Sequence, residues 1–173
     1  MKVNSVSDAD ALASSAHEGQ TDRIGVPYVE HVRAVAAGLA PFGAELQMAG
    51  LLHDVIEDTP WTAERLRAAG VPDRVVAVVE QVTNQPGVAY EDKLRRIAGS
   101  RDATLVKIAD NAHNSRDDRA ARLDPAARER LAAKYRAARE VLWPAASRED
   151  IAAILAIVNP DLLAALPAED GAP

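Results

Sequence analysis

The chain has 173 residues, with 26 acidic and 20 basic side chains and a formal net charge of −6. It contains no cysteine, which excludes disulfides, thiolate metal sites and cysteine nucleophiles. The acidic balance argues against binding to polymeric nucleic acid. Because there is no run of about 18 apolar residues and no secretory signal, we expect a cytoplasmic protein with no membrane interaction.

Apolar spacing, caps and chain breakers predict helices over residues 7–19, 28–40, 44–58, 62–70, 72–83, 90–98, 103–117, 124–143 and 147–158. Ser7 and Thr62 are the expected caps of the first and fourth of these helices. The β-branched run at 75–79 would also suit a strand, but its position after Pro72 and its apolar spacing favour a helix. The predicted fold class is all-α, a compact bundle in one domain over 1–173. Its core is expected at about 5–158, and a frayed tail at about 167–173.

The densest group of chemically active side chains lies in the run LLHDVIEDT, residues 51–59. On one helix, His53 and Glu57 share a face, and Asp54 and Asp58 lie on the adjacent stripe. Acidic groups are disfavoured at a helix C-terminus, so a cation that neutralises them would explain their position. Taken alone, the run is equally compatible with a metal site and with a solvated acidic helix end.

Two other segments carry residues of the same kind. His31 lies on the apolar side of its predicted helix, and Lys107, Asp110 and Asn114 fall at steps of three and four residues along another. A lone histidine or aspartate in such a setting is more often structural. Three such segments in one helical chain together favour a metal site.

The order H…HD…D resembles the HD superfamily of metal-dependent phosphohydrolases. The segments AHEGQ, GVPYVEH, LLHDVIEDT and KIADNAHNSRD are similar to the hydrolase domain of RelA/SpoT proteins and to stand-alone small alarmone hydrolases. The resemblance covers roughly residues 9–140. It implies a single HD hydrolase domain that removes the 3′-pyrophosphate from guanosine or adenosine alarmone nucleotides such as (p)ppGpp.

The resemblance also implies roles for individual residues. The metal ligands would be His31, His53, Asp54 and Asp110. Two imidazoles and two carboxylates suit one divalent cation; manganese is the family expectation, and nickel, iron or zinc are alternatives. Glu57 and Asp58 would be the catalytic acidic pair that orients water and carries its proton.

Arg23, Lys107 and Asn114 are the residues expected to contact substrate. Lys107 would position phosphate or the Asp110 backbone, although a lysine that merely covers its own helix is an equal alternative. Asp22 departs from the family pattern, because the family usually has a basic residue here that holds the purine. An aspartate at this place is expected to repel phosphate, which leaves the choice between guanine and adenine open.

Other interpretations stay open at this stage. His17 and His113 are interpreted as partly buried histidines with satisfied hydrogen bonds rather than as ligands. A different HD-type nucleotidase or nucleotide phosphohydrolase would explain Asp22, and a metal-binding module without turnover is a third alternative. The expected partner is a small nucleotide, and the sequence leaves the oligomeric state open.

Overall fold

The computed structural model describes residues 2–167, which form eleven α-helices and no β-strand. The predicted all-α fold class is confirmed. Apart from Pro167, the tail predicted to fray lies outside the described residues. The helices are α1 Val6–Ala16, α2 Tyr28–Gly38, α3 Ala44–Leu52, α4 Val55–Asp58, α5 Ala63–Ala68, α6 Asp73–Val82, α7 Tyr90–Ala98, α8 Arg101–Asn114, α9 Asp117–Ala120, α10 Pro125–Leu142 and α11 Arg148–Val158.

Side-chain caps fix the start of four helices. Thr62, Asp124 and Ser147 each accept a hydrogen bond from a backbone amide in the first turn of α5, α10 and α11. The first helix is capped by Ser5 and not by Ser7. Ser5 forms a capping box with Asp8, whose carboxylate accepts from the Ser5 amide at 3.1 Å.

The helix predicted over 44–58 is interrupted at the His53–Asp54 pair, where a turn separates α3 from α4. The His53 side chain donates from Nδ1 to the Gly50 carbonyl at 2.8 Å and so satisfies a carbonyl in the last turn of α3. Asp54 follows with φ −103° and ψ 0°. The two residues therefore occupy a corner between helices, and the single-helix face proposed for His53 and Glu57 is wrong.

The core is aliphatic and surrounds α8, which packs against α2, α3, α6, α7, α10 and α11. The 75–79 segment lies within α6 and is helical, as predicted. The segment predicted as one helix over 103–117 is instead α8 followed by the short α9. None of the helices in residues 2–167 combines the length and apolarity that a membrane crossing requires.

The backbones of α2 and α3 approach closely at Gly50. A Cβ atom there would lie 2.9 Å from the Ala36 Cα and 2.8 Å from the Leu39 Cδ1. Only glycine permits this approach, which packs α2, the helix that carries His31, against the last turn of α3, after which His53 follows.

Candidate metal centre

His31, His53 and Asp54 bring one potential metal-ligand atom each to a common point. These atoms all lie within 4.8 Å of one another, and both histidines are buried. His31 comes from α2, and the other two come from the corner between α3 and α4. Two imidazoles and a carboxylate, gathered in the interior, form a donor set suited to a divalent transition metal.

One nitrogen of the His53 ring is hydrogen-bonded to the backbone, and the other is available to bind a cation. Nδ1 donates to the Gly50 carbonyl, so in the neutral ring Nε2 carries a lone pair. Nε2 is buried without a hydrogen-bond partner and lies 2.9 Å from the Asp54 Oδ2. A lone pair that faces a carboxylate in the interior is unfavourable unless both atoms coordinate one cation. The two residues therefore fit a bound metal.

His31 connects the corner to α8. Its Nε2 lies 3.7 Å from the Asp54 Oδ2 and 3.4 Å from the Asp110 Oδ1. Burial lowers the pKa of His31, but the hydrogen bonds and charges of Asp110 and Asp54 outweigh it and raise the pKa to about 9. In the absence of metal, the two carboxylates therefore attract a proton to the nitrogen that would otherwise face a cation.

Asp110 is close to this group but is not one of the three residues whose ligand atoms converge. Its Oδ2 accepts from the Lys107 ammonium at 2.5 Å, and its Oδ1 accepts from the Asn114 amide at 2.6 Å. Burial raises the pKa of Asp110, but the charge of Lys107 and the hydrogen bond from His31 outweigh it and lower the pKa well below its usual range. Lys107 and Asn114 thus both contact a predicted ligand directly.

Asp54 has a further partner that the sequence analysis did not identify. The Tyr28 hydroxyl donates to the Asp54 Oδ2 at 2.6 Å. Burial raises the pKa of Asp54, but the charges and hydrogen bonds of His53 and His31 hold it well below its usual range. Tyr28 lies three residues before His31 on α2, and this spacing could have suggested that both side chains face the same site.

Glu57, on α4, is held by residues from two distant segments. Its Oε2 accepts from the Asn84 backbone amide at 3.0 Å, and its Oε1 accepts from the Asn84 side chain. The Lys93 ammonium donates to the Asn84 Oδ1 and lies 4.0 Å from the Glu57 Oε2. Neither Asn84 nor Lys93 was predicted as a functional residue, because neither belongs to a recognisable motif.

Asp58 lies beside Glu57 and differs from the buried carboxylates. Burial raises the pKa of Asp58, and the negative charges of Asp54 and Glu57 raise it further. The site therefore combines Asp54 and Asp110, which stay ionised, with a carboxyl group that takes up a proton more easily. Such a separation is typical of acid and base roles.

A cavity of 360 Å³ opens over these side chains. His31, Asp54 and Asp110 line it together with Glu57 and Asp58. Five cationic side chains also line it: Arg23, Lys93, Lys107, Arg119 and Lys134. Lys107 and Arg119 pair with Asp110 and Asp22, so the cationic wall open to a small polyanion is formed mainly by Arg23, Lys93 and Lys134.

Asp22 lies in the loop before α2. The Asp22 Oδ1 accepts from the Ile24 and Val26 amides, both at 2.9 Å, and Oδ2 pairs with Arg119 at 2.8 Å. The Asp22 side chain is 6% exposed, and its charge is compensated by Arg119. Asp22 therefore organises the loop, and Arg119 offsets the charge from which the repulsion of phosphate was expected. The next residue, Arg23, is exposed and lines the cavity.

The two remaining histidines have different environments. His17 is buried, its Nδ1 lies 2.8 Å from the Gln20 Oε1, and its ring packs 4.9 Å from that of Tyr28. Its Nε2 is buried without a partner, so the prediction of a satisfied histidine holds for only one nitrogen. His113 is buried with its Nδ1 2.8 Å from the His31 Nδ1.

Several known proteins are similar to this chain in sequence. The guanosine-3′,5′-bis(diphosphate) 3′-pyrophosphohydrolase of Haemophilus influenzae is 39% identical over 117 residues, which cover 61% of this chain and 17% of that protein. The bifunctional (p)ppGpp synthase/hydrolase SpoT of Escherichia coli is 34% identical over 128 residues, 66% of this chain and 18% of that protein. The probable GTP pyrophosphokinase of Mycobacterium leprae is 36% identical over 160 residues, 86% of this chain and 20% of that protein. The chain thus spans a fifth or less of the length of these relatives.

The fold also matches a solved structure. A metazoan ortholog of SpoT, described as hydrolysing ppGpp, superposes with a TM-score of 0.70 at 24% sequence identity. The match covers 91% of this chain and 96% of that chain. The model of the HD domain family matches residues 9–152, which is most of the sequence. The chain therefore belongs to the HD domain family.

Proposed function

We propose that this chain is a metal-dependent hydrolase that removes the 3′-pyrophosphate from guanosine or adenosine alarmone nucleotides such as (p)ppGpp. The observation that carries the proposal is the convergence of His31, His53 and Asp54 beside a cation-lined cavity that also contains two further carboxylates. The names of the relatives support the same reaction, since two of them are 3′-pyrophosphohydrolases or (p)ppGpp hydrolases.

The proposed ligands are His31, His53, Asp54 and Asp110, and the proposed metal is Mn²⁺. The orphaned His53 Nε2 supports this assignment, as does the 3.4 Å separation of the His31 Nε2 from the Asp110 Oδ1. Mixed imidazole and carboxylate ligation is compatible with manganese, although later transition metals would bind such a set more tightly. When bound, the cation would lower the pKa of a coordinated water and neutralise phosphate charge.

Glu57 and Asp58 are the proposed catalytic pair. Glu57 is fixed through both carboxylate oxygens, so it can accept a hydrogen bond from water in one defined direction. Asp58, whose pKa is raised, is suited to take the proton at a carboxylate oxygen and return it to the leaving group. Tyr28 maintains the orientation of the Asp54 carboxylate beside them.

The substrate would lie in the cavity, with its phosphates against the cationic wall. Arg23 is exposed and without a carboxylate partner among the described residues, so it is available to a phosphate or a base. Lys107 and Asn114 line the cavity from α8 while they hold Asp110, so each could contact substrate and a ligand together. Lys93 and Lys134 add positive charge to the same wall.

The decisive test is an assay with added Mn²⁺ on ppGpp, its adenosine analogue and nucleotides with a free 3′-hydroxyl. The proposal expects pyrophosphate from the two 3′-substituted nucleotides and no product from the others. Orthophosphate released from simple nucleoside monophosphates would instead favour another HD-type nucleotidase. Metal bound without turnover of any nucleotide would leave a metal-binding module and refute the proposed reaction.

A further inference from the structure

His113 is a buried, chemically active residue to which the proposed reaction gives no role. It is 8% exposed, lies on α8, and places its Nδ1 2.8 Å from the Nδ1 of His31, which is itself 3% exposed. The two rings are tilted by 39° with centroids 4.9 Å apart. This is a direct hydrogen bond between two imidazoles, one of which belongs to the metal-ligand group.

We propose that His113 is a positioning residue for the metal centre: its Nδ1 accepts the Nδ1–H of His31 and thereby directs the lone pair of the His31 Nε2 toward the cation. The inference rests on the proposed role of His31 as a ligand. It goes beyond that role because it assigns a function to a histidine that neither binds the metal nor contacts substrate.

The tautomers follow from the geometry. A hydrogen bond between two ring nitrogens needs one protonated and one unprotonated nitrogen. The His31 Nε2 faces the carboxylates of Asp54 and Asp110, at 3.7 and 3.4 Å, and must be unprotonated to bind a cation there. The proton of neutral His31 is then on Nδ1, which makes the His113 Nδ1 the acceptor and places the His113 proton on Nε2.

The helix that carries His113 also places it close to the metal-ligand group. On α8, His113 is three residues after Asp110, so the helix that carries one proposed ligand also carries the support of another. On its other side, His113 lines a second cavity with basic residues, Arg116, Arg119 and Arg122, and acidic ones, Glu30 and Asp118.

The test compares Mn²⁺ dissociation constants, measured by titration calorimetry, for the wild type and four variants. His113→Leu removes the acceptor and retains bulk, and His113→Asn restores an acceptor oxygen near the position of Nδ1. Asn159→Ala is the matched structural control, because buried Asn159 donates to the carbonyl of Ala112, next to His113, at 2.9 Å. His31→Leu tests the ligand role itself.

We expect His113→Leu to weaken Mn²⁺ binding by about 10- to 100-fold, the effect typical of losing the hydrogen-bond partner of a histidine ligand. His113→Asn should recover most of the affinity, and Asn159→Ala should bind Mn²⁺ like the wild type. If His31→Leu loses Mn²⁺ and His113→Leu does not, or if the Leu and Asn variants weaken equally, the inference is overturned while the proposed function stands. If His31→Leu binds normally, the proposed ligand set itself fails.

A second measurement needs no variant that could misfold. In the wild-type protein loaded with diamagnetic Zn²⁺, nitrogen-15 NMR of the imidazoles should show a protonated Nδ1 in His31 and an unprotonated Nδ1 in His113. A protonated His113 Nδ1 would mean that the hydrogen bond runs in the opposite direction, which contradicts the proposal.

Discussion

Asn84 binds both carboxylate oxygens of Glu57, one through its backbone amide and the other through its side chain. The loop that follows α6 therefore fixes a side chain of α4, 27 residues away in the sequence. Lys93 donates to the side-chain oxygen of Asn84, so the carboxamide has little freedom to rotate. Glu57 is held in one orientation by residues that are neither ligands nor members of the HD motif.

This contact predicts a kinetic effect of Asn84→Ala. Loss of the side-chain donor should let Glu57 move and lower kcat by about 10- to 100-fold, since small misplacements of a catalytic group have effects of this size. KM and Mn²⁺ affinity should change little. Gln85→Ala, an exposed neighbour in the same loop, is the matched control. A kcat equal to that of the wild type would show that the backbone amide alone positions Glu57.

Glu57→Gln and Asp54→Ala should separate catalysis from metal binding. Glu57→Gln preserves the shape of the side chain but removes its charge, so kcat should fall by about 10²- to 10⁴-fold while Mn²⁺ still binds. Asp54→Ala should lose Mn²⁺ and activity together. Steady-state kinetics and metal titration of the same preparations test both statements, and substantial activity in Glu57→Gln would refute the role given to Glu57.

The buried side chain of Lys93 should make the stability of the protein depend on pH. Burial and the charge of Lys107 together lower the pKa of Lys93 to about 8, against the attraction of Glu57. The pKa in the unfolded chain is higher, so charged Lys93 disfavours folding below pH 8, and this penalty disappears as pH rises from about 8 towards the unfolded value of about 10.4.

The substitution Lys93→Met should therefore increase the free energy of unfolding at pH 7, and the gain should shrink as pH rises through this interval. Denaturant unfolding of both proteins at several pH values, without metal or nucleotide, measures the difference. The same variant should lose activity, because the cavity loses a cation and Asn84 loses its partner. A gain that stays constant with pH would contradict the lowered pKa.

Replacement of Asp22 should lower the stability of the protein and leave its substrate specificity unchanged. Asp22→Ala removes the acceptor for two backbone amides and the partner of Arg119, and should lower the free energy of unfolding by about 1–3 kcal/mol. Asp22→Asn keeps the amide acceptor and should lose less. Glu18→Ala, an exposed acidic residue nearby, should change stability by no more than about 0.5 kcal/mol. Chemical denaturation of the wild type and the three variants measures these differences. Equal stability of Asp22→Ala and Glu18→Ala would contradict the prediction.

Most helices could be predicted because their boundaries depend on local chemistry. Thr62, Asp124 and Ser147 cap helices as their side chains suggest, and α7 has the predicted bounds. The break at His53 could not be predicted in this way, because residues 44–58 contain no proline and their one glycine, Gly50, lies inside α3 and not at the break. It accompanies a hydrogen bond between the His53 ring and the Gly50 carbonyl.

The part of the candidate site that belongs to sequence motifs could be predicted. The part that depends on the packing of distant segments could not. The HD pair and the spacing of Lys107, Asp110 and Asn114 indicated the ligand region. Asn84 and Lys93 belong to no such motif. Their role in holding Glu57 depends on the packing of α6 and α7, which brings them to its carboxylate. The ion pair of Asp22 could not be predicted because its partner, Arg119, is 97 positions further along the chain.

The contact of α2 with α3 at Gly50 has a consequence for how the cation-binding properties of this protein can be altered. The ring centroids of His31 and His53 are 5.2 Å apart, and α2, which carries His31, lies so close to α3, which precedes His53, that a Cβ atom at Gly50 would meet the Ala36 backbone. The backbone separation of the two histidines therefore has little room to change. Metal preference in this scaffold is best changed through the side chains behind the ligands, whereas a larger residue at position 50 should push α2 and α3 apart and weaken metal binding.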